Sequence, residues 1–274
     1  MNGLPLLESK FEGEINLISK SNSQPLLLAV VLLSSLISGC ISDSSDDDFI
    51  LVVNYEQASG TVIQTFDEGE LVSTTSVELE FDFSNSVSAN NLVLFAMGDM
   101  FGSQFKSINP AEDSTITFSF SEHGIFYFEA YATDDSGRTK ELTIVIRIDL
   151  EMIWDESGTY EPIPMEIDSI PDNGGVNPIS MTIDSTVTNP GLIEDISGGR
   201  EVDITWRLTD PLDDSCQVYE GVVHEGESLN WKTVHFNTYE VHELSVSYDD
   251  GQDRIDVHHV ILIEYEELES EPNP

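Results

Sequence analysis

Hydrophobic and polar positions alternate with period two through much of this chain. In Val77-Glu78-Leu79-Glu80-Phe81-Asp82-Phe83 four apolar side chains line one face and three acids the other. This is the pattern of a half-buried antiparallel strand. Residues 116–120 and 202–208 repeat it, and residues 91–97 and 142–148 are apolar runs of strand length. Turn clusters separate these segments: Ser84-Asn85-Ser86, Asp134-Asp135-Ser136-Gly137 and Asp249-Asp250-Gly251. No window carries helical periodicity over a dozen residues. Many short strands punctuated by turns predict an all-β chain of antiparallel β-sandwiches.

A faint internal repeat sets the expected domain count. Tyr131–Arg138 leads into the apolar run 142–148, and Val246–Gly251 leads through Arg254 into the apolar run 255–263. Each unit reads as strand, acidic turn, strand and acidic exit. The offset is domain-sized, too long for a solenoid repeat. Two tandem Ig-like sandwiches are expected, at 49–150 and 151–268, with a junction in the Gly- and Pro-containing stretch 149–164. The acidic segment 264–274 is expected to fray, with 269–274 as a tail beyond the second module. Trp206 and Trp231 are candidate core anchors of the second module.

The N-terminal region changes the picture of where these modules work. Residues 26–37 are almost wholly apolar and are followed by Ser38-Gly39-Cys40, then by the Ser/Asp-rich stretch 41–48. The apolar run is short for a membrane span, which needs about 20 residues, but suits the core of a secretory signal. Ile37-Ser38-Gly39-Cys40 resembles the lipobox of prokaryotic lipoproteins. The resemblance implies a signal peptide over 1–39, lipidation of Cys40 and a linker over 40–48. An uncleaved signal anchor with an incidental cysteine is the other reading. Both put the remaining chain outside the cell, on a linker that reaches roughly 25 Å when extended.

Charge sharpens the choice of partners. The chain carries 52 Asp+Glu against 10 Lys+Arg, a formal charge of −42. Such a surface repels phosphate backbones and anionic headgroups, which argues against nucleic-acid partners and leaves membrane attachment to the lipid. Self-repulsion at low salt is relieved by screening. A saline source, abundant divalent cations, or a solubility device each fit this charge. Cys216 has no partner if Cys40 is lipidated, so no disulfide staples the fold, and it reads as a small buried hydrophobe.

Phe120-Ser121-Glu122-His123-Gly124-Ile125-Phe126-Tyr127-Phe128-Glu129-Ala130-Tyr131-Ala132-Thr133-Asp134-Asp135-Ser136-Gly137 resembles the last third of a PKD domain. These are Ig-like sandwiches of archaeal and bacterial surfaces. The resemblance implies that Phe126, Phe128, Ala130 and Ala132 point inward, and that Phe126 stands where the family has a tyrosine. Phe95-Ala96-Met97-Gly98-Asp99 stands for the family's W-D-F-G-D-G strand without its tryptophan. In the second module only residues 239–251 resemble the family.

Candidate chemistry is sparse. Asp134, Asp135, Asp249, Asp250 and Asp253 cluster in acidic turns and are candidate calcium ligands, with ordinary turn chemistry as the alternative. His224, His235, His242, His258 and His259 lack a zinc-motif spacing and read as solvated or edge-strand residues. His258 and His259 must point to opposite faces of their strand. Tyr127 and Tyr131 fall on the outward face of their strand and are candidate ligand-binding aromatics. No nucleophile elbow or phosphate loop is present, so no enzyme activity and no cofactor beyond the candidate calcium are expected. The expected function is a membrane-anchored extracellular lipoprotein whose sandwiches bind a glycan or protein, adhere or act as a spacer. Alternatives are an envelope component bridged by divalent cations and, last, an unrecognised hydrolase.

Overall fold

A computed structural model describes residues 48–100, 102, 104–190 and 200–272. Cys40, the signal segment and the linker to residue 47 lie outside the described residues. Among those described, secondary structure is β throughout, and no helix is long and apolar enough to cross a membrane.

The first half contains β1 (Phe49–Ile50), β2 (Ser59–Asp67), β3 (Glu70–Thr75), β4 (Val77–Asp82), β5 (Val87–Ser88), β6 (Leu92–Asp99), β7 (Phe105–Ile108), β8 (Thr115–Phe120) and β9 (Gly124–Asp134). Next comes β10 (Thr139–Thr159), a strand of 21 residues. Then follow β11 (Met165–Ile167), β12 (Ser180–Thr188), β13 (Val202–Thr209), β14 (Ser215–Val223), β15 (Ser228–His235), β16 (His242–Asp250) and β17 (Ile255–Glu264). The alternation predicted for residues 77–83 is realised: Leu79, Phe81 and Phe83 are buried while Glu78 and Glu80 are exposed.

One nine-stranded sheet runs β15-β12-β17-β10-β9-β6-β7, with β2 parallel to β10 and β3 beside β2. Two smaller layers cover it. The β4–β8 pair packs on β9, with Phe118 and Phe120 against Phe128 at 4.8 and 5.7 Å between ring centroids. The four-stranded sheet β11-β16-β13-β14 packs on β12 and β15, where Trp206 meets Trp231 at 6.2 Å. Trp206 is fully buried and Trp231 nearly so, which makes both the core anchors expected. One connected apolar cluster extends from Phe49 to Ile263. Truncating an aromatic in such a core costs about 3–5 kcal/mol.

The junction expected at 149–164 is strand as far as Thr159, and only residues 160–164 are loop. β10 pairs with β9 over residues 139–148 and with β17 over residues 150–159. β2 lies parallel to residues 147–155, across the exchange of partners. Continuity follows from the side chains. Ile144, Ile146, Ile148, Leu150, Met152 and Trp154 all face the core at every second position. The acids between them lie on the other face, so the expected acidic exit at 149 does not end the strand.

The repeat is not a structural one. Around Asp134, β9 and β10 form a hairpin within one sheet, whereas residues 251–254, after Asp249 and Asp250 at the end of β16, connect the small sheet to β17 in the large one. The tail also departs from expectation. The Arg147 guanidinium donates from Nε and Nη2 to the two carboxylate oxygens of Glu269, at 2.9 and 3.0 Å. Ser270 N donates to the Val145 carbonyl at 2.9 Å, and Tyr55 Oη donates to the Glu271 carbonyl at 2.8 Å. The segment to Glu271 is therefore docked along β10.

His258 is exposed and His259 buried, on the opposite faces expected. In the core, Trp206 Nε1 donates to Ser185 Oγ at 2.7 Å, and Ser185 Oγ is 2.7 Å from His259 Nδ1. Burial, with His258 beside it, pushes His259 down from 6.5 to about 3. His259 is thus neutral in the folded state and gains a proton on unfolding below pH about 6.5. Its contribution to stability is complete above that pH and is lost as pH falls toward about 3. Replacing His259 by Gln should remove a slope of up to about 1.4 kcal/mol per pH unit from the stability profile in this window. Chemical denaturation across pH measures it; an unchanged slope would show that His259 does not titrate between the two states.

Limited proteolysis of the purified chain should not release 49–150 and 151–268 as separate folded fragments, because cleavage between them cuts β10. Recovery of either as a stable piece would show that the shared strand is dispensable.

Candidate functional site

The exchange point on β10 creates a cleft of about 420 Å³. Its floor comes from β2 and β10, whose parallel register places Phe66 opposite Trp154 and Gln64 opposite Met152. Phe66 and Trp154 stack at 5.7 Å with 29° between ring planes. Trp154 is buried and Phe66 half-buried, so the phenyl is the more accessible of the two rings. One wall is the β8–β9 turn with Glu122 and His123; the other is the segment between β10 and β12 with Glu166, Asp168 and Asp172.

These elements are fixed by identifiable contacts. Gly124 takes φ +148° at the end of the β8–β9 turn, and a Cβ there would approach Asn173 Nδ2 to 2.9 Å. Asn173 Nδ2 in turn donates to the Ile125 carbonyl at 3.0 Å, tying the two walls together. Asp168 accepts the Ile170 amide at 2.9 Å and so shapes its own wall. His123 Nδ1 lies 2.8 Å from Tyr265 Oη. Burial lowers the His123 pKa from 6.5 against the pull of Asp172 and Asp168, which leaves the ring neutral above that pH. Gln64, Glu122, Glu166 and Asp172 have no side-chain hydrogen bond among the described residues. The cleft thus combines an aromatic floor, free amide and carboxylate groups, and a neutral imidazole. It suits a ligand with an apolar face and several hydroxyls.

The residues singled out from sequence are placed elsewhere. Tyr127 and Tyr131 lie on the outward face of β9, as expected, with Phe126, Phe128, Ala130 and Ala132 buried on the other. Four residues separate the tyrosines, about 13 Å along a strand. The Tyr131 hydroxyl donates to Glu129, whose carboxylate pushes the phenol up to about 12. The two rings share this face without touching, with Glu129 between them.

Asp134 is buried and saturated by protein donors. Ser136 Oγ at 2.6 Å, Ser88 Oγ at 2.9 Å, Asn90 Nδ2 at 3.2 Å and Arg138 Nε at 2.9 Å all reach its carboxylate. Burial opposes the charge, but these donors outweigh it and hold the carboxyl well below the usual carboxylate range. Asp135 is exposed and accepts Asn91 Nδ2 at 2.9 Å. In the second loop Asp249 accepts Thr205 Oγ1 at 2.5 Å, Asp250 accepts the Gly251 amide at 2.9 Å, and buried Asp253 pairs with Arg200 at 3.0 Å. Each carboxylate is drawn to a different partner, which is ordinary turn and anchor chemistry.

His224 lies 3.4 Å from Glu201, and His258 lies 2.7 Å from Asp155, both at the surface. Cys216 is exposed, contrary to the buried residue expected, because it sits at the outer edge of the small sheet. His235 and His242 meet beside it, and the three residues each bring one ligand atom within 4.8 Å of the others. Sequence reasoning missed this group because its members come from three strands.

No family model matches the chain, and no curated protein does. Among solved structures it is similar to a carbohydrate-binding module of the β-sandwich superfamily, at 9% identity and a TM-score of 0.28, over 80% of this chain and 98% of that one. It is also similar to a Bacteroides uniformis β-glucuronidase, at 10% identity and a TM-score of 0.27, over 79% of this chain and 30% of the enzyme. A third is a Bacteroides ovatus mixed-linkage glucan locus protein in complex with a heptasaccharide, at 12% identity and a TM-score of 0.21, over 73% and 52%.

Replacing Asp134 by Asn should lower the Tm by several degrees, because it removes the charge opposite Arg138 inside a hydrogen-bonded turn. Any shift of Tm by Ca²⁺ should be the same in this variant as in the unaltered chain. Thermal scans with and without Ca²⁺ decide it; a Ca²⁺ response abolished by the substitution would make Asp134 a ligand.

Proposed function

We propose that this chain is a lipid-anchored extracellular binding protein that takes a neutral glycan in the cleft between β2, β10 and the 163–172 segment. The observation that carries the reading is the Phe66–Trp154 stack bordered by Gln64 and by Glu122, Glu166 and Asp172, whose carboxylates accept no side-chain hydrogen bond among the described residues. A sugar ring presents C–H groups to an aromatic face and hydroxyls at its edge, which amide and carboxylate groups accept. Fixed strands supply the stack and a braced turn supplies the rim, so little ordering is needed on binding. The acid excess disfavours sulfated and uronic-acid polymers, through repulsion from Glu122, Glu166, Asp168 and Asp172 as well as from the surface as a whole.

The anchor belongs to the same reading. It rests on the lipobox-like Ile37-Ser38-Gly39-Cys40 and on the Ser/Asp linker that follows. The PKD-like stretch 120–137, on β9 and the turn after it, suits a surface role of this kind. Binding without turnover is the proposed activity, and incubation with polysaccharides is expected to release no reducing ends.

The test is a binding survey with neutral and acidic polysaccharides, followed by titration of the best ligand. Replacing Phe66 by Ala should weaken binding about tenfold or more, equivalent to about 1.4 kcal/mol, with the melting transition retained. Replacing Asp168 by Asn should weaken it less. Unchanged affinity in both variants would move the site away from the cleft. For the anchor, the mass of the protein from a membrane fraction should correspond to a chain that begins at a diacylglyceryl-modified Cys40.

A further inference from the structure

The open side of the second sandwich holds a cluster that neither the cleft nor the anchor uses. The chain leaves the small sheet at β14 and crosses through residues 224–227 to β15, the outer strand of the large sheet. It then returns through residues 236–241 to β16 in the small sheet. β14 and β15 are thus the outer strands of facing sheets, connected by a turn at one end and bridged toward the other by Gln217, which donates to the Val234 carbonyl at 3.1 Å and accepts Thr233 Oγ1 at 2.7 Å. At the other end stand Cys216 near the start of β14, His235 at the end of β15 and His242 at the start of β16.

Three observations concern how these residues are aimed. First, Leu208 pairs with Gln217 and Thr209 with Ser215, so Cys216 is the extra residue of a bulge. A bulge re-aims a side chain that strict alternation would place otherwise. Second, His242 is buried and its Nδ1 lies 3.0 Å from the Glu240 carbonyl. Donation to that carbonyl puts the proton on Nδ1 and leaves the Nε2 lone pair directed at the cluster, the usual outer contact of a metal-bound histidine. Third, His235 Nε2 lies 3.1 Å from His242 Nε2, and the Cys216 sulfur completes a set within 4.8 Å. Zinc with bonds of about 2.0 Å to nitrogen and 2.3 Å to sulfur separates its tetrahedral ligands by about 3.3–3.6 Å. Small side-chain rotations close the difference.

The surroundings favour a cation. Asp214 stands two residues before Cys216 and Glu240 two before His242, and the carbonyls of both reach these side chains, at 3.9 Å from the sulfur and 3.0 Å from Nδ1. Close contact between the strands is already built in, since a Cβ on Gly221 of β14 would fall 2.2 Å from Leu229 of β15.

We infer that Cys216, His235 and His242 form a zinc site that clips the outer strands of the two facing sheets, with the fourth position left to water or Glu240. An imidazole pair with one thiolate selects a borderline to soft ion over Ca²⁺ or Mg²⁺. The thiol proton is released to solvent when the metal–sulfur bond forms.

Cobalt is the probe. The full-length chain, freed of metal with a chelator, is titrated with Co²⁺ in excess Mg²⁺ to occupy surface carboxylates. The expected result is a thiolate-to-cobalt charge-transfer band with strong tetrahedral visible bands, saturating at one ion per chain and displaced by Zn²⁺. Replacing Cys216 by Ser should abolish the charge-transfer band, and replacing His235 by Ala should weaken Co²⁺ binding at least tenfold. Both residues lie at the surface or half-buried, so the fold should survive, as circular dichroism would show. In the unaltered chain, Zn²⁺ should slow alkylation of Cys216 by iodoacetamide at least tenfold while Mg²⁺ does not. A pale octahedral Co²⁺ spectrum insensitive to Cys216→Ser, or alkylation unaffected by Zn²⁺, would overturn the proposal.

Discussion

The backbone ladder of β10 is the constraint on which the rest of this structure depends. Twenty-one residues keep their hydrogen bonds while the partner changes from β9 to β17. Every buried amide and carbonyl along that path needs a partner, and β2 supplies one across the exchange. The core-facing row from Ile144 to Trp154 continues without interruption from the layer under β8 to the region of β11 and β17. What reads as two modules is therefore one sheet with two covers. The cleft lies between the two covers, where β2 brings the half-buried Gln64 and Phe66 beside the buried Met152 and Trp154 of β10.

The extreme charge is handled by spending the few cations on buried carboxylates. Arg138 holds Asp134, Arg147 holds Asp149 and Glu269, and Arg200 holds Asp253, each acid being buried or half-buried. Asp149 also accepts the Tyr265 amide at 2.9 Å. Glu156 is also buried and accepts the Ile163 amide at 2.9 Å instead of a cation, and most other acids are exposed or half-buried, where water and salt screen them. An internal acid without its arginine would be left as an uncompensated buried charge, a costly state.

The sequence made the strands legible wherever one face is polar, as in β4, β8 and β13. It also gave the inward row of β9 and the opposite faces of His258 and His259. β10 was misread at its middle. Asp149 and Glu151 look like the end of a strand, although the apolar positions 150, 152 and 154 keep the same parity as 144, 146 and 148. The repeat around Asp134 and Asp249 misled because similar local sequence can turn a hairpin within one sheet or cross between two. The stack of Phe66 on Trp154 depends on a parallel pairing between distant segments, which local periodicity does not encode. Cys216 was assigned to the core by its residue type, while a bulge at a sheet edge decided otherwise. The docked tail followed from Arg147, whose partner lies more than a hundred residues away.

The parallel pairing of β2 with β10 also bears on how the chain acquires its fold. Ser59 must find Arg147 across about 90 intervening residues, a loop whose closure is slow because no local contact helps it. Synthesis delivers β10 well before β17. During that interval the 150–159 segment lacks its antiparallel neighbour, and an apolar strand with an open edge is available to other copies. Repulsion between chains of charge −42 opposes such encounters. On this view the acid excess guards the incomplete chain as much as it dissolves the finished one.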